Sequence, residues 1–141
     1  MKVSVIAAIG RRGQLARDGS MPWHCSEDLK DFARATAGSI MIAGERTFKQ
    51  IRPIMTDDYL DRTRRGLLGW SPRAGTPGEL IAHLKDGNAD RVWIIGGAYT
   101  YRKFHRYVNH DIHINVLSYD NDPAEDDRHL FFPLKLYGVK L

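Results

Sequence analysis

An acidic residue near the start of the chain stands among apolar neighbours. Asp28 follows the segment Met21 to Trp23 and precedes Leu29, and Phe32 comes four positions later. Residues four apart share a helix face, so the carboxylate and the ring of Phe32 are expected to lie together. Apolar surroundings favour the protonated carboxyl, the state that a general acid needs. The alternative is a solvated carboxylate that favours the helix macrodipole.

Two glycine turns have the character of phosphate-binding turns. Gly96-Gly97 and Gly44 each follow an apolar run and precede a helical pattern, and Arg46 and Thr47 come just after Gly44. Backbone N–H groups at such turns suit a pyrophosphate, so the pair could hold two parts of one dinucleotide. A tight turn without a ligand is the alternative. Neither turn fits G-x-G-x-x-G or G-x-x-x-x-G-K-[ST].

The histidines and the single cysteine indicate neither metal nor thiol catalysis. His110 and His113 are an odd number of positions apart in a predicted strand, which sends their side chains to opposite faces. No H-E-x-x-H or Cys/His pattern occurs. Cys25 has no second thiol for an intrachain disulfide, so nothing calls for an oxidising compartment and a cytoplasmic location is expected.

A basic stretch lies between the two halves of the chain. It contains Arg52, Arg62, Arg64 and Arg65, and the whole chain carries a formal net charge of +4. Such a stretch is a solvated surface, a carboxylate site or a nucleic-acid contact. The charge alone does not choose among these.

The elements that must position these residues alternate between strand and helix. Apolar runs predict strands at residues 3–9, 39–43, 91–95 and 112–116, with a long loop at 10–22. Helical spacing and end signals predict helices at 26–38, 47–51, 76–87 and 101–108. This order predicts one α/β domain over residues 1–141, with a mostly parallel central sheet flanked by helices. In such folds ligands bind beyond the carboxyl ends of the strands.

Length and composition agree with that prediction. The chain has 141 residues, of which 43% are hydrophobic and 27% charged, as in ordinary globular proteins. Disordered, collagen-like and coiled-coil classes are excluded. The apolar run at 3–9 is too short to cross a bilayer, so no membrane association is expected.

Four segments together resemble the dihydrofolate reductase family. They are S-V-I-A-A-I-G at 4–10, M-P-W-H-C-S-E-D-L-K-D-F at 21–32, G-E-R-T-F at 44–48 and I-I-G-G-A-Y-T-Y at 94–101. Their order and spacing match as well, over roughly the first fifty residues and then residues 92–133. The resemblance implies reduction of dihydrofolate to tetrahydrofolate by NADPH. In that case Asp28 binds the pterin ring and governs protonation of N5, while Trp23 orders the water beside it.

The resemblance also implies two sets of binding residues. The substrate set is Ile6, Ala7, Asp28, Leu29, Phe32, Ile51, Ile95 and Asn115, with Arg52 and Arg64 as candidates for the glutamate tail. The cofactor set is Ala8, Gln14, Leu15, Ala16, Arg17, Asp18, Gly19, Ser20, Gly44, Arg46, Thr47, Gly96, Gly97, Ala98, Tyr99, Thr100, Tyr101 and Arg102. No metal is implied.

Four features of the sequence depart from the family pattern. Glu45 stands where the family has a basic residue near the 2′-phosphate, which leaves NADH open beside NADPH. The Pro-Gly-Arg element is not legible after Ile54, and Asn115 replaces the usual strand threonine. The family's terminal hairpin is not legible after Pro133. An uncovered sheet edge, and with it weak self-association, is therefore expected.

Rival classes remain beside the reductase. A non-catalytic folate- or nucleotide-binding scaffold would fit the shortened end and Glu45, although a scaffold has no need of an acid at Asp28. A nucleic-acid-binding protein has only the basic stretch in its favour and lacks a recognisable motif. A reductase of a pyrimidine is disfavoured because Asp28 suits a pterin edge. The expected partner is a small-molecule substrate, without nucleic acid.

Overall fold

A computed structural model describes residues 1–17, 26–117 and 129–141. The strands are β1 (Lys2–Ile9), β2 (Gln14–Arg17), β3 (Ile40–Gly44), β4 (Gly66–Trp70), β5 (Arg91–Gly96), β6 (Ile112–Val116) and β7 (His129–Phe131). The helices are α1 (Ser26–Thr36), α2 (Glu45–Ile51), α3 (Asp57–Arg62), α4 (Pro77–Asp86) and α5 (Ala98–Phe104). Two short 3-10 turns, Pro72–Ala74 and His105–Tyr107, complete the described elements.

Five parallel strands form the central sheet in the order β4-β3-β5-β1-β6. Both faces of a parallel sheet are covered, so its strands are apolar along their whole length. Val5, Ile9, Ile42 and Ile94 are accordingly fully buried. The predicted α/β class, with a mostly parallel sheet flanked by helices, is confirmed.

Helices α1 and α4 begin and end within two residues of the predicted bounds, whereas α5 begins three residues earlier than predicted and ends at Phe104, where a 3-10 turn follows. Thr76 caps α4, because its hydroxyl accepts a hydrogen bond from the Glu79 N–H at 3.1 Å, and Pro77 occupies the first helical position. Short polar side chains and proline favour a helix start at these two positions. Helix α2 begins directly after Gly44, two residues earlier than its apolar spacing predicts.

Four of the strands and helices, β2, β7, α3 and β4, are absent from the sequence-based prediction. Strand β2 lies in the segment expected to be a loop and pairs antiparallel with β7, from Gln14 opposite Phe131 to Arg17 opposite His129. That pairing joins distant parts of the chain, which local periodicity cannot reveal. Helix α3 and strand β4 lie in the basic stretch, and the glycine-rich sequence of β4 has low strand propensity.

Packing explains why β4 is a strand despite its glycines. All five of its residues pair with β3, from Gly66 opposite Ile40 to Trp70 opposite Gly44. A Cβ added at Gly69 would lie 3.0 Å from the ring of Phe48, so the glycine lets α2 pack closely on the sheet.

Edge strands β4 and β6 bound the sheet. Ile112 and Val116 on β6 are 46% and 51% exposed, and β6 pairs only with β1 among the strands that the structure describes. Self-association through this edge stays a prediction. In the described ranges no helix has the length and apolar character that crossing a membrane requires.

Candidate active site

The side chain of Asn115 joins two carboxylates of helix α1 to strand β6. Its Nδ2 atom donates to Asp28 Oδ1 at 3.1 Å and to Asp31 Oδ2 at 2.6 Å. His113, two residues before it on the same face of β6, places Nε2 2.7 Å from Asp31 Oδ2. The structure thus brings together Asp28 and Asn115, both predicted site residues, and adds Asp31 and His113.

Asp31 is held in its charged form by these neighbours. The hydrogen bond from Asn115, and next that from His113, keep the pKa of the Asp31 carboxyl below its ordinary range. Arg34 adds a longer contact, with Nη2 at 3.9 Å from Asp31 Oδ1. Hydrogen bonds to the ionised carboxylate stabilise it, which is the physical cause of the lower pKa.

The pKa of Asp31 predicts how the stability of the folded chain depends on pH. A carboxyl whose pKa is lower in the folded state than its ordinary 3.8 stabilises the fold above that value, and the contribution is lost as pH falls. We expect Asp31→Asn to lower the free energy of unfolding near neutral pH, with the difference shrinking to nothing in acid. Urea titrations of both proteins between neutral pH and about pH 2 measure this. Asp58→Asn, at an exposed ion pair with Arg62, is the control; a difference that grows in acid would contradict the assignment.

A cleft of about 390 Å³ lies beside Asp28. Its walls are Asp28, Asp31, Arg34, Ile114, Asn115, Val116 and Leu117. The cleft combines a half-buried carboxylate with an amide and apolar side chains. A carboxylate in such a place can accept hydrogen bonds from a planar nitrogen heterocycle and pass a proton to it.

The two predicted glycine turns pack against each other. A Cβ added at Gly44 would lie 2.2 Å from Thr100 Oγ1, and one added at Gly97 would lie 3.3 Å from Thr47 Oγ1. Gly96, whose peptide bond to Gly97 is cis, has a φ of 124°, in the region that favours glycine. Glycine is required at these positions because the ends of β3 and β5 and the starts of α2 and α5 meet there.

Polar and cationic side chains surround this junction. Arg46 and Arg102 are exposed, and Thr47 is half-buried. These groups suit the phosphates of a dinucleotide, as the glycine turns do. Glu45 opens α2 and forms an ion pair with Lys49, with 3.3 Å between Oε1 and Nζ. The residues present therefore fit the phosphates of a dinucleotide.

Tyr101 links helix α5 to strand β1. Its hydroxyl donates to the backbone oxygen of Ile6 at 2.7 Å, and Tyr101 is 2% exposed. Burial raises the pKa of Tyr101 far above its ordinary value, and the nearby Tyr137 and the negative charge of Asp28 raise it further. The hydroxyl therefore stays a donor and fixes the backbone between the predicted substrate and cofactor residues.

The basic stretch divides into different roles. Arg52 donates to the Met55 backbone oxygen at 2.6 Å and forms an ion pair with Asp57, while Arg64 is exposed with a φ of 55°. Arg65 is buried and donates to Thr36, Thr63 and Tyr59 at 3.1, 3.0 and 2.5 Å. Arg65 is therefore a structural residue. Arg52 and Arg64 stay candidates for a substrate tail.

The other predicted residues occupy several environments. Ile6 and Ala7 are buried in β1, and Ala8, Leu15, Phe32, Ile51, Ile95, Gly97 and Ala98 are half-buried. Leu29 and Tyr99 are each 50% exposed, and Gln14 is buried with its Oε1 accepting from the Arg12 N–H. Only the backbone of Ala16 and Arg17 is described, and Asp18, Gly19, Ser20, Met21, Pro22 and Trp23 lie outside the described residues.

Sequence reasoning missed Asp31 and His113 as site residues. His113 is weighed from the sequence only as a metal partner of His110, and Asp31 is not singled out there. The signal was present in the spacing, because Asp28 and Asp31 are three apart on a helix, and His113 and Asn115 are two apart on a strand. Each pair therefore shares one face.

Comparison with known proteins assigns the chain to a family. The dihydrofolate reductase family model matches residues 2–123. Dihydrofolate reductase HdrB of Haloferax volcanii is 32% identical over 71% of this chain and 57% of its own length. Dihydrofolate reductase type 3 of Salmonella typhimurium is 30% identical over 72% and 63%. The chain thus spans about three fifths of these two relatives.

A further relative matches almost from end to end. Dihydromethanopterin reductase of Methylorubrum extorquens is 30% identical over 145 aligned positions, which cover 99% of this chain and 96% of that protein. The family model covers most of the chain, and it includes Asp28, both glycine turns and Asn115. The chain therefore belongs to the dihydrofolate reductase family of oxidoreductases.

Proposed function

We propose that this chain reduces the N5=C6 bond of a 7,8-dihydropterin with NADPH as cofactor, and that Asp28 governs the protonation of N5. The observation that carries the proposal is the Asp28 carboxylate, held by Asn115 at 3.1 Å beside a cleft. Family membership supports oxidoreductase chemistry with a nicotinamide cofactor. A non-catalytic scaffold would have no use for this acid.

Asp28 performs two tasks in the proposed reaction. Its carboxylate accepts two parallel hydrogen bonds from the 2-amino-4-oxo-pyrimidine edge, which fixes the orientation of the ring. Reduction at C6 leaves negative charge on N5, and a proton controlled by Asp28 neutralises it. Asn115 holds the carboxylate from the strand side.

The junction of the two glycine turns is the proposed cofactor site. Gly97, Thr47, Arg46 and Arg102 offer backbone and side-chain donors for phosphate oxygens. When bound, NADPH supplies the hydride for C6. The close packing of Gly44 on Thr100 holds the junction rigid, so the donors keep their relative positions.

Cofactor preference tests the role of Glu45. A carboxylate near a 2′-phosphate repels it by about 1 kcal/mol in solvent, but the Lys49 ion pair and Arg46 offset part of this. We expect NADPH to be preferred over NADH by a modest margin, and Glu45→Arg to widen that margin about fivefold. The ratio of kcat/KM values for the two cofactors measures the change.

Two comparisons bound that result. Glu45→Gln removes the charge without adding a cation, so it should give an intermediate ratio. An unchanged ratio in Glu45→Arg would show that residue 45 does not face the phosphate. A parent that prefers NADH would show that Arg46 does not compensate for the carboxylate.

The substrate tail separates two candidate functions. Dihydrofolate is the substrate that the resemblance implies, and its glutamate carboxylates need a cation. Arg52 is engaged by Asp57 and Met55, and Arg64 is exposed. Dihydromethanopterin is the second candidate, favoured by the nearly end-to-end match to a dihydromethanopterin reductase. Both molecules present the same pyrimidine edge to Asp28.

Steady-state assays with both dihydropterins test the proposed function. Loss of NADPH absorbance on adding dihydrofolate is expected, and its kcat/KM supports dihydrofolate if it equals or exceeds that of dihydromethanopterin. A kcat/KM more than about tenfold higher for dihydromethanopterin assigns the second function, because that ratio reports preferential transition-state binding. If the chain turns over neither substrate but still binds folate, the non-catalytic binding scaffold is the function that remains.

A further inference from the structure

We infer that Asp31 and His113 are positioning residues for Asp28, and that they act through the side-chain amide of Asn115. The inference rests on the proposed function, in which Asp28 holds a pterin and governs its protonation. Its structural part, the coupling of the two carboxylates through Asn115, can be measured without turnover. Neither Asp31 nor His113 need touch the substrate.

The four side chains lie on two elements that face each other, helix α1 and strand β6. Asp28 and Asp31 lie three residues apart on α1, and His113 and Asn115 lie two apart on β6. The helix pair and the strand pair face each other across distances of 2.6, 2.7 and 3.1 Å. Four side chains thus form one hydrogen-bonded row between the helix and the edge strand.

The side-chain amide of Asn115 has one orientation that suits both carboxylates. Its nitrogen carries two hydrogens, and it lies within hydrogen-bond distance of Asp28 Oδ1 and Asp31 Oδ2. The amide oxygen in that place would face two carboxylates and be repelled by both. The shorter contact, 2.6 Å to Asp31, fixes the nitrogen, and the second hydrogen is then directed at Asp28.

The Asp31 carboxylate is itself held by His113 and Arg34. His113 Nε2 contacts the same Oδ2 atom that accepts from Asn115, and Arg34 Nη2 lies 3.9 Å from the other carboxylate oxygen of Asp31. The His113 ring packs edge-to-face on Trp93, with 6.4 Å between ring centroids. Trp93 is 4% exposed, so the row of hydrogen-bonded side chains ends against a buried aromatic ring.

Removal of Asp31 would therefore release Asn115 from its fixed orientation. The amide would keep Asp28 as its one acceptor, but its orientation, and with it the direction of the Asp28 carboxylate toward the cleft, would no longer be fixed from the Asp31 side. A misplacement of about 1 Å in a site costs up to about 100-fold in rate. The loss on removing a residue that acts through another should be smaller, about tenfold.

Asp31→Leu is the main test, because leucine keeps the size and removes every hydrogen bond. We expect kcat to fall about tenfold with little change in KM for NADPH. His113→Phe keeps the ring on Trp93 but removes Nε2, and it should give a smaller loss of the same kind. Asp58→Asn is the matched control, an exposed aspartate in an ion pair on α3, and it should keep the parent's kcat.

A double-mutant cycle separates positioning from a general structural effect. In an Asp28→Asn background, Asp31→Leu should cause no further loss of kcat, because the residue it positions is gone. In an Asn115→Thr background the effect should also vanish, since one hydroxyl cannot donate to both carboxylates. Equal losses in all three backgrounds would overturn the inference, as would a kcat within about twofold of the parent for Asp31→Leu.

The second readout is the NMR signal of the Asn115 side-chain amide. Its two proton shifts should move on Asp31→Leu and on Asp28→Asn, and stay fixed in Asp58→Asn. Asn115 amide shifts that stay unchanged in both variants would overturn the coupling of the two carboxylates through Asn115, even if the protein is an active reductase. Amide shifts that move as expected in a protein without turnover would support the coupling through Asn115 and refute the proposed function. Failure of the coupling and failure of the proposed function are therefore distinguishable.

Discussion

Asp28→Asn is expected to lower kcat for dihydropterin reduction by at least ~100-fold near neutral pH, the typical contribution of a general acid. Asparagine keeps the size of the side chain and the first turn of α1, but it cannot hold or release the proton for N5. Stopped-flow or steady-state absorbance of NADPH measures the loss. Binding of NADPH should stay at the parent's level, since the glycine junction is formed by other elements.

The control for Asp28→Asn is the acid that lies on a remote surface. Asp58→Asn removes a carboxylate from an exposed ion pair on α3 and should leave kcat unchanged. Turnover of Asp28→Asn at the parent's rate would mean that Asp28 is only a solvated acid in the first turn of a helix. In that case the catalytic part of the account is wrong.

Gly44→Ala is expected to weaken NADPH binding at least about tenfold and to lower the free energy of unfolding by about 1–3 kcal/mol, the usual cost of overpacking. The new Cβ would lie 2.2 Å from Thr100 Oγ1, and Thr100 is 2% exposed, so neither side chain can move into solvent. The starts of α2 and α5 must then separate. NADPH fluorescence titration and urea unfolding measure the two effects.

Two further variants make the Gly44 test specific. Gly87→Ala adds a Cβ that meets only ordinary contacts, 3.5 Å from the His83 oxygen, and should change neither affinity nor stability by more than a small amount. Thr100→Ala in the Gly44→Ala background removes the clashing oxygen and should restore much of both losses. Gly44→Ala with the parent's affinity would contradict the placement of the cofactor site.

Much of the fold follows from local signals in the sequence. The buried strands β1, β3 and β5 are continuous apolar runs, and the start of α4 follows from Thr76, Pro77 and Glu79. Strand β2 does not, because it depends on pairing with β7 more than a hundred residues away along the chain. Strand β4 contains two glycines, which have low strand propensity. It forms because it pairs with β3 and because Gly69 leaves space for the ring of Phe48.

The site divides in the same way. Asp28 and the glycine turns can be recognised in the sequence, because their residue types and order along the chain indicate their chemistry. Asp31 and Arg65 cannot, because a charged residue in a helix or basic stretch normally lies in solvent. Asp31 becomes a site residue only when β6 brings Asn115 to within 2.6 Å, and Arg65 becomes structural only when Thr36 lies 3.1 Å away.

Transfer of isotope from cofactor to product tests the proposal that NADPH donates a hydride to a dihydropterin on this chain. The enzyme is incubated with NADPH deuterated at C4 of the nicotinamide and with dihydrofolate or dihydromethanopterin, and the tetrahydropterin is analysed by mass spectrometry. We expect a product that carries one deuterium at C6, formed by the parent and suppressed in Asp28→Asn. Absence of a tetrahydropterin from both substrates, or a product without deuterium, would contradict the proposal.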